Sequence, residues 1–531
     1  MSRDSRDAAA GAVGGLVAGA VLSGIMLLLE RSGRGPSDLV LMERRGAREL
    51  DMPHRRLGAP PDLGEQAAGH TGHLVLSAAL GSGLGIIRRG LGITAPKAGL
   101  LLGLGFYPIA FGVVGPLLGL TRAPWRDWPG KVGQNILMHA VFGAVTGFVA
   151  DRFERGTGRA RAAAPKRVTT AGHLRYSDGV ETVAPDEEKT FDRIIAVMGE
   201  GGRITRERYG HSVRTSHAKA HGLLKGELRV LDGLPGPLRQ GLFSKPRTYP
   251  AVVRLSHVPG ELLDDDKVST PRGMAIKIFD AAGPKVAGHE GEATHDFVLD
   301  TGKAFISSTA EVFLAQITAT EAATPMPQAV KQAVSNVSRA TNSALNAVGL
   351  NSANLDFYGH PKLHPLVEPY FTQAPIRYGD HVAKLGVFPD TARLRALAEV
   401  AFAIGGENGL RDAVVGFFRE NPAEFDVRVQ LCTDLDTMPV EDASKEWSED
   451  RSPYRSVARL VLPSQDAYSE ARRACVDGAL SFAPGHSLAA HRPLGSIMRA
   501  RMKAYAALGG ARRRDNGDPV REPRSISEVP D

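Results

Sequence analysis

The chain has 531 residues, of which 43% are hydrophobic and 23% charged, and its formal net charge is +7. This length predicts roughly two to four domains, and 60 glycines without a G-X-Y repeat exclude a collagen. The two cysteines, Cys432 and Cys475, form no CxxC or CxxCH motif, which argues against a disulfide framework, an iron–sulfur cluster and a c-type haem attachment.

The N-terminal part of the chain is rich in long apolar runs. Residues 8–29 and 98–120 carry no charge, and at ~1.5 Å per residue each could cross a hydrocarbon core of ~30 Å as a helix. Residues 132–150 form a third run and residues 73–87 a shorter fourth. The pattern predicts an all-α, multi-pass transmembrane region over residues 1–165 with about four helices. A cleaved signal peptide is the alternative for the first run.

Glycine pairs four residues apart occur in every one of these runs: Gly15 and Gly19, Gly81 and Gly85, Gly99 and Gly103, Gly143 and Gly147. Such small-residue ridges let helix backbones approach closely in lipid, so a tight bundle is predicted. His139 lies within the last run, where we expect an interhelical hydrogen bond. Basic residues follow at 152–167, which predicts that the C-terminal part is cytoplasmic, although the loop at 30–72 is basic too.

From residue 166 the sequence is alternating, charged and interrupted by turns. Strand-like runs occur at 252–255, 274–279, 296–299, 382–388 and 425–431, and helical patterns at 310–320, 329–348, 390–403 and 497–507. These elements predict an α+β domain with an antiparallel sheet over residues 166–514. Residues 515–531 contain few apolar side chains, so a disordered tail is predicted.

Three motifs of this domain carry a family resemblance. They are RTSHAKAHG at 214–222, VRLS at 253–256 and TPRGMAIK at 270–277. In order and spacing they resemble successive blocks of the haem catalases, and the segments at 364–389, 438–447 and 486–505 are similar to the short catalase-related proteins. Across residues 205–515 the resemblance implies a catalase-like antiparallel β-barrel with helices, a haem b cofactor with its iron, peroxide as substrate and a homo-oligomer.

An arginine and a tyrosine near the C-terminus suit the iron-binding side of such a site. Arg501 and Tyr505 are spaced i, i+4 and so share one helix face. A tyrosine phenolate can bind haem iron, and because the ordinary pKa of tyrosine is about 10 it needs a nearby cation. The resemblance implies that Tyr505 is the axial metal ligand and that Arg501 favours its ionised form.

The opposite side of the site is predicted around His217. The resemblance implies that His217 is the distal acid–base group, that Ser256 orients it, and that Arg214 and Arg254 pair with the haem propionates. Imidazole suits proton transfer near neutral pH, and guanidinium suits bidentate pairing with carboxylates. His217 and His221 also have the spacing of zinc ligands, but there is no HExxH glutamate.

One block departs from the family pattern. Catalases carry D-L-V-G-N-N-T-P, whereas residues 296–303 read DFVLDTGK. The second asparagine of that block is taken as the distal catalytic one, which makes Thr301 the predicted residue here. A threonine hydroxyl has one donor where the amide has two, so fast catalase activity is not expected. The family includes allene oxide synthases, in which a hydroxyl residue precedes the distal histidine as Ser216 does here.

Together these observations predict a membrane-anchored, haem-dependent oxidoreductase that acts on hydrogen peroxide or on organic and lipid hydroperoxides. Tethering to a bilayer would raise the local concentration of a lipid-borne substrate. The alternatives are a non-catalytic, membrane-tethered haem-binding protein and a hydroperoxide isomerase resembling allene oxide synthase. Nucleic-acid binding is not predicted, because the basic residues at 152–167 lie beside an apolar run and lack interleaved aromatic residues.

Overall fold

The computed structural model of the chain describes residues 3–31, 36–49, 56–57, 59–90, 93–111, 116, 121, 124–126, 129–162, 172–325, 328–347, 353–400, 402–518 and 522–531. The chain divides into two compact units. The first comprises Met1–Arg167 with Ala344–Leu350, and the second comprises Val168–Ser343 with Asn351–Asp531.

The first unit is helical. Its helices are α1 (Arg3–Arg31), α2 (Asp38–Glu49), α3 (Leu63–Gly90), α4 (Ala95–Ile109) and α5 (Pro129–Ala162). The apolar runs predicted at 8–29, 73–87 and 132–150 lie inside α1, α3 and α5. The run predicted at 98–120 begins inside α4, while residues 112–115 and 117–120 lie outside the described residues. The predicted helical character of these runs is therefore confirmed where they are described.

The multi-pass membrane arrangement predicted for this unit is not supported. Within the described residues one helical segment, Lys131–Asp151, is long and apolar enough to cross a membrane. Two shorter apolar stretches, Gly11–Gly24 and Gly72–Leu84, fall below the length of a span. A buried core helix of a soluble protein can meet the same criteria as Lys131–Asp151, so a single candidate is weak evidence for a membrane protein.

Glycines form the close contacts between the helices of the first unit. A Cβ atom on Gly15 of α1 would lie 2.0 Å from the carbonyl oxygen of Ser77 in α3. A Cβ atom on Gly103 of α4 would lie 2.0 Å from the carbonyl oxygen of His139 in α5. No side chain fits at these distances, so the glycine ridges are what allow these backbones to approach.

The second unit is built on an antiparallel sheet. Its strands in the described residues are β1 (Ala220–Val230), β2 (Thr248–His257), β3 (Arg272–Ile278), β4 (His295–Thr301), β5 (Tyr370–Phe371), β6 (Ile376–Tyr378), β7 (His381–Pro389), β8 (Ala423–Leu431) and β9 (Arg455–Leu462). The strand order is β5-β4-β3-β2-β1-β9-β8-β7-β6, and an additional pairing of β5 with β7 closes eight of the strands into a barrel. The predicted antiparallel β-barrel is confirmed.

The strands of the barrel have two different faces. Val253, Leu255 and Met274 belong to a large apolar cluster that fills the interior, while Val252 belongs to a separate cluster on the other face. Side chains alternate along a strand, so Arg254 and Ser256 share the outer face with Val252. The predicted functional residues of β2 therefore point out of the barrel.

Besides α1 to α5, seven α-helices of seven or more residues precede, separate or follow the strands of the barrel along the described chain. They are α6 (Glu187–Tyr209), α7 (Ala310–Ala322), α8 (Gln328–Ala347), α9 (Ala353–Gly359), α10 (Ala392–Ala398), α11 (Gly409–Glu420) and α12 (Ser496–Asn516). An apolar cluster joins α6, α7 and α12 through Phe191, Ile194, Leu314 and Ala500. This packing holds α12, which carries Arg501 and Tyr505.

The C-terminal segment differs from the predicted disordered tail. α12 continues to Asn516, and a short 3-10 helix at Ile526–Glu528 begins with a capping box at Ser525. Val529 is buried and packs on the outer cluster of the barrel. The ammonium group of Lys225 donates to the carbonyl oxygen of Val529 at 3.0 Å. Few apolar residues are enough here because the barrel supplies the surface that buries them.

Candidate active site

His217 is held immediately before β1 in a constrained conformation. Its φ is +58°, in the left-handed region, where histidine is one of the more tolerated side chains. Its backbone N–H donates to the carbonyl oxygen of Val258 at 2.8 Å. Its Nδ1 lies 3.1 Å from the hydroxyl of Ser256. A non-glycine residue with positive φ is strained, so the surrounding contacts fix this imidazole in place.

A row of three residues across neighbouring strands forms the floor beneath His217. Ser256 of β2 lies opposite Gly273 of β3, and Gly273 lies opposite Asp300 of β4. A Cβ atom on Gly273 would lie 2.5 Å from His217 Nδ1, so the ring occupies the space that glycine leaves open. Ser256 and Asp300 flank the same ring, with Asp300 Oδ1 at 3.4 Å from Nε2. The strand register thus places one polar group at each ring nitrogen.

Thr301, predicted as the distal catalytic residue, does not occupy that position. Its hydroxyl accepts a hydrogen bond from the backbone N–H of Arg272 at 3.1 Å. Successive residues of a strand point to opposite faces, so the side chain that shares the outer face with His217 is that of Asp300. The geometry therefore assigns the place next to the imidazole to a carboxylate instead of a hydroxyl.

Burial shifts the proton affinities of His217 and Asp300 in opposite directions. It lowers the pKa of His217 to about 3, together with the positive charges of Arg254, Arg501 and Arg214. It raises the pKa of Asp300 to about 6, although the charge of Arg501 acts in the other direction. Burial disfavours the charged form of each group, which is cationic for imidazole and anionic for carboxyl.

Arg501 and Tyr505 are brought together on α12 as predicted. An Nη2 proton of Arg501 is donated to the Tyr505 hydroxyl oxygen at 3.0 Å, and the guanidinium carbon lies 5.5 Å from the centre of the tyrosine ring. Although burial opposes its charge, the pKa of Arg501 is raised by Tyr505 and Asp300. The charge of Arg501 also lowers the pKa of His217, so the guanidinium and the imidazole are close enough to interact electrostatically.

Arg214 and Arg254 lie next to each other and share a partner that the sequence did not indicate. Arg254 donates from Nε to Asp477 at 2.7 Å and from Nη2 to the carbonyl oxygen of His217 at 2.8 Å. Arg214 Nη2 donates to the carbonyl oxygens of Val476, Asp477 and Leu480. Although burial alone would raise it, the pKa of Asp477 is held below its usual range by Arg254 and Arg214.

A third guanidinium joins this cluster. Arg512, seven residues beyond Tyr505 on α12, donates to the carbonyl oxygens of Asp477 and Gly478 at 3.2 and 2.9 Å. Burial, Arg254 and Arg512 lower the pKa of Arg214 to about 9, which reflects the cost of crowding buried cations. Arg512 could have been found from its i, i+7 spacing to Tyr505. Asp477 lies in a π-helical turn, Arg473–Ala479, that has no comparable sequence signal.

Two alternatives raised by neighbouring residues can be compared with the geometry. The hydroxyl of Ser216 donates to the carbonyl oxygen of Val258 at 2.9 Å, so this hydrogen bond goes to the backbone. Among the described residues, His221 lies near His257 and Asp265 as a group of potential metal ligands, and His217 is not part of that group. His217 and His221, whose spacing is that of zinc ligands, therefore do not share such a group in the described part of the chain.

The comparisons with known proteins return structures of catalases. No protein-family model matches the chain, and the search of curated proteins returns no match. A fungal catalase is 17% identical with a TM-score of 0.40, over 59% of this chain and 61% of that one. Catalase A from Saccharomyces cerevisiae is 18% identical with a TM-score of 0.40, over 59% and 63%.

A bacterial catalase gives a comparable result. It is 17% identical with a TM-score of 0.40, over 66% of this chain and 64% of that one. The chain thus spans less than two thirds of the length of each of these three structures. At such identities and scores the likeness assigns no activity, so a function has to be argued from the site.

Proposed function

We propose that the chain is a haem-dependent oxidoreductase of the catalase type that acts on peroxides. The observation that carries this proposal is the buried arrangement of His217 between Ser256 and Asp300, within electrostatic reach of the Arg501–Tyr505 pair. A fixed imidazole suits proton transfer to and from peroxide, and a tyrosine paired with a guanidinium suits the binding of a haem iron.

The residues present fit haem b. Tyr505 would hold the iron through its phenolate oxygen, with Arg501 donating to that oxygen as it does in this structure. Three guanidiniums contact the carboxylate of Asp477 or its backbone, namely those of Arg214, Arg254 and Arg512. Among the described residues, the Nε of Arg214 has no hydrogen-bond acceptor. This cluster retains an excess of buried positive charge, which suits the anionic propionates of a haem.

When bound, the haem iron supplies the redox chemistry, and the residues of the chain supply proton transfer and orientation. His217 is placed to take a proton from one peroxide oxygen and to return it to the departing oxygen. Ser256 fixes the rotation of the imidazole through Nδ1. Gly273 leaves room for the ring beside the sheet.

Within this class we propose peroxidase or hydroperoxide chemistry in preference to fast dismutation of hydrogen peroxide. The carboxyl of Asp300 lies beside Nε2 of His217, at the place where a donor amide would steer peroxide. A carboxylate only accepts hydrogen bonds, so it cannot hold a peroxide oxygen in the way an amide does. Organic and lipid hydroperoxides are accordingly proposed as substrates alongside hydrogen peroxide.

The test of this proposal begins with the purified full-length protein. We expect an optical spectrum with a Soret band and the features of a ferric, tyrosinate-bound haem. Rapid mixing with hydrogen peroxide or an alkyl hydroperoxide should then change the haem spectrum on the timescale of substrate consumption. A haem spectrum that does not respond to either peroxide would support the non-catalytic haem-binding alternative. Isomerised product without reduction to the alcohol would support the isomerase alternative.

We further propose that the first unit binds a lipid bilayer and so holds the enzyme near lipid-borne substrates. Although Leu22 and Phe142 are buried between its helices, many of its large apolar side chains are exposed. Their exposed fractions are from 40 to 64% at Val17, Val21, Leu76, Leu100, Leu101, Leu104, Ile136, Leu137 and Phe148. Its helix contacts are made by glycines. Helix bundles in lipid favour this arrangement, with small residues between the helices and large apolar residues on the outer surface. Cytoplasmic placement of the enzyme domain and a homo-oligomer remain predictions.

A full-length variant with Leu101→Arg and Leu137→Arg tests membrane binding. These side chains are 63% and 64% exposed, and an arginine in the hydrocarbon region costs about 2.5–3.5 kcal/mol. We expect the wild-type protein to float with phospholipid vesicles in a density gradient and the variant to stay largely in the aqueous fractions.

The matched control carries Leu101→Ala and Leu137→Ala, which shortens the same side chains without adding charge. It should still float with the vesicles. Wild-type protein that remains in the aqueous fractions without detergent would refute membrane binding and leave the enzymatic proposal intact.

A further inference from the structure

We propose that Asp300 is a further acid–base group of this site, sharing one proton with His217 so that the pair, not the imidazole alone, exchanges protons with a bound hydroperoxide. This inference rests on the proposed haem-dependent function. It adds a second residue, Asp300, to the proton transfer that the proposed function assigns to His217. Neither the family blocks nor the comparisons assign this role to a carboxylate.

Geometry is the first support. Asp300 is 7% exposed, and its Oδ1 lies 3.4 Å from His217 Nε2. Within the described part of the chain this oxygen has no hydrogen-bond partner, so the imidazole is the group it faces. Distances between catalytic groups are often long before a substrate is bound. The register of β4 against β3 fixes the carboxyl at this place, because Asp300 lies directly opposite Gly273.

The hydrogen-bond inventory of the ring shows how one proton can be shared. Nδ1 faces the hydroxyl of Ser256, which can donate or accept. If Asp300 is ionised, His217 presents an N–H at Nε2 and the serine hydroxyl donates to Nδ1. If Asp300 is protonated, its O–H faces the Nε2 lone pair and Nδ1–H donates to the serine. Ser256 accommodates both states by rotating its hydroxyl, so the pair can exchange a proton without moving the backbone.

The surrounding charges determine where the shared proton resides. The charged and titratable groups around the pair come from four parts of the chain: Arg214 before β1, Arg254 and His257 on β2, Tyr370 on β5, and Arg501 on α12. The three guanidiniums disfavour an imidazolium, and burial lowers the pKa of His217 to about 3. Burial also raises the pKa of Asp300 to about 6. The carboxylate is therefore the stronger base of the two.

The proton transfers balance for a hydroperoxide ROOH. The peroxide O–H proton passes to the pair and resides on the carboxyl of Asp300. When the O–O bond breaks, its bonding electron pair leaves with the alkoxide oxygen, and the shared proton moves to that oxygen so that ROH departs. A bound haem would accept the other oxygen atom and supply the two electrons of the reduction. Hydrogen peroxide follows the same steps and releases water.

Asp300→Asn in the full-length protein tests the pair through the pH dependence of turnover. With a pKa of about 6, the ionised fraction of Asp300 rises with pH, so wild-type turnover of an alkyl hydroperoxide should increase about ten-fold between pH 5 and pH 7. The variant should show less than about a two-fold change over this range. Glu227→Gln, which neutralises an exposed carboxylate on β1, should keep the wild-type profile.

Infrared spectroscopy provides a readout that does not depend on turnover. The carbonyl stretch of a protonated carboxylic acid should appear in the wild type as the pH falls through about 6, and it should be missing in Asp300→Asn. If that band does not titrate in this range, or if the variant keeps the wild-type pH profile, the role of Asp300 is refuted even when the haem is loaded. A protein that never binds haem would instead overturn the proposed function, whatever the band shows.

Discussion

Replacing Tyr505 with phenylalanine is expected to remove the iron ligand and, with it, peroxide turnover by a factor of about 10³ or more. The change deletes one oxygen atom, which accepts a hydrogen bond from Arg501 at 3.0 Å. The phenyl ring keeps the volume of the side chain and its stacking beneath the guanidinium. A loss of function would thus report the ligand and not the packing. The measurement is the optical spectrum together with the haem content per chain.

The control for this prediction is Tyr249→Phe. Tyr249 is buried, whereas Tyr505 is partly buried. The ring of Tyr249 also lies beside an arginine, and its hydroxyl donates a hydrogen bond to the carbonyl oxygen of Leu242. This variant should keep the wild-type spectrum. A Tyr505→Phe protein that binds haem with an unchanged ferric spectrum would show that the iron is held by another residue, and the assignment of α12 as the proximal helix would then fail.

The sequence was sufficient to predict five of the nine strands that the second unit has in the described residues. The five predicted runs fall within β2, β3, β4, β7 and β8, apart from residue 279, which follows the end of β3. They could be predicted because alternation of apolar and polar residues directly reflects the two faces of a strand. Closure of the barrel was expected only from the family resemblance. The barrel closes where β5, which has two residues, pairs with β7, which has nine. Local sequence patterns do not encode which distant strands pair with each other.

The position of Thr301 illustrates how a single register step decides a functional assignment. The sequence block indicated the segment of β4 that lies beside His217, but it selected Thr301, one residue beyond the Asp300 that faces the imidazole. Because side chains alternate across a sheet, that step exchanges the outer face for the inner one. Only the pairing of Asp300 with Gly273, and of Gly273 with Ser256, shows which side chain reaches His217.

The membrane prediction shows a different limit. Hydropathy indicated α1, α3, α4 and α5 but missed the polar helix α2. It also could not distinguish a membrane span from an apolar helix packed in protein. Lys131–Asp151 alone meets the criteria of a span among the described residues. What the structure adds is orientation, since glycines lie at helix contacts while leucines such as Leu101 and Leu137 are exposed. That orientation is what makes vesicle binding worth measuring.

The second large effect is expected from His217→Asn. Proton transfer by a positioned side chain contributes about 10²–10⁴-fold to a rate, and the amide of asparagine cannot exchange a proton with peroxide. Asparagine is also the best choice for the backbone, since it tolerates the left-handed φ of +58° that this position requires. We therefore expect turnover of an alkyl hydroperoxide to fall by about 10²-fold or more while haem content and the resting spectrum persist.

His211→Gln is the matched control, because it replaces an exposed imidazole in the same N-terminal approach to β1. Its turnover should equal that of the wild type. Retention of more than about a tenth of the wild-type rate by His217→Asn would mean that the imidazole is not the group that exchanges protons with peroxide. In that case the carboxyl of Asp300, which lies 3.4 Å away, would be the remaining base, and the double variant with Asp300→Asn should then lose the activity that the single variant keeps.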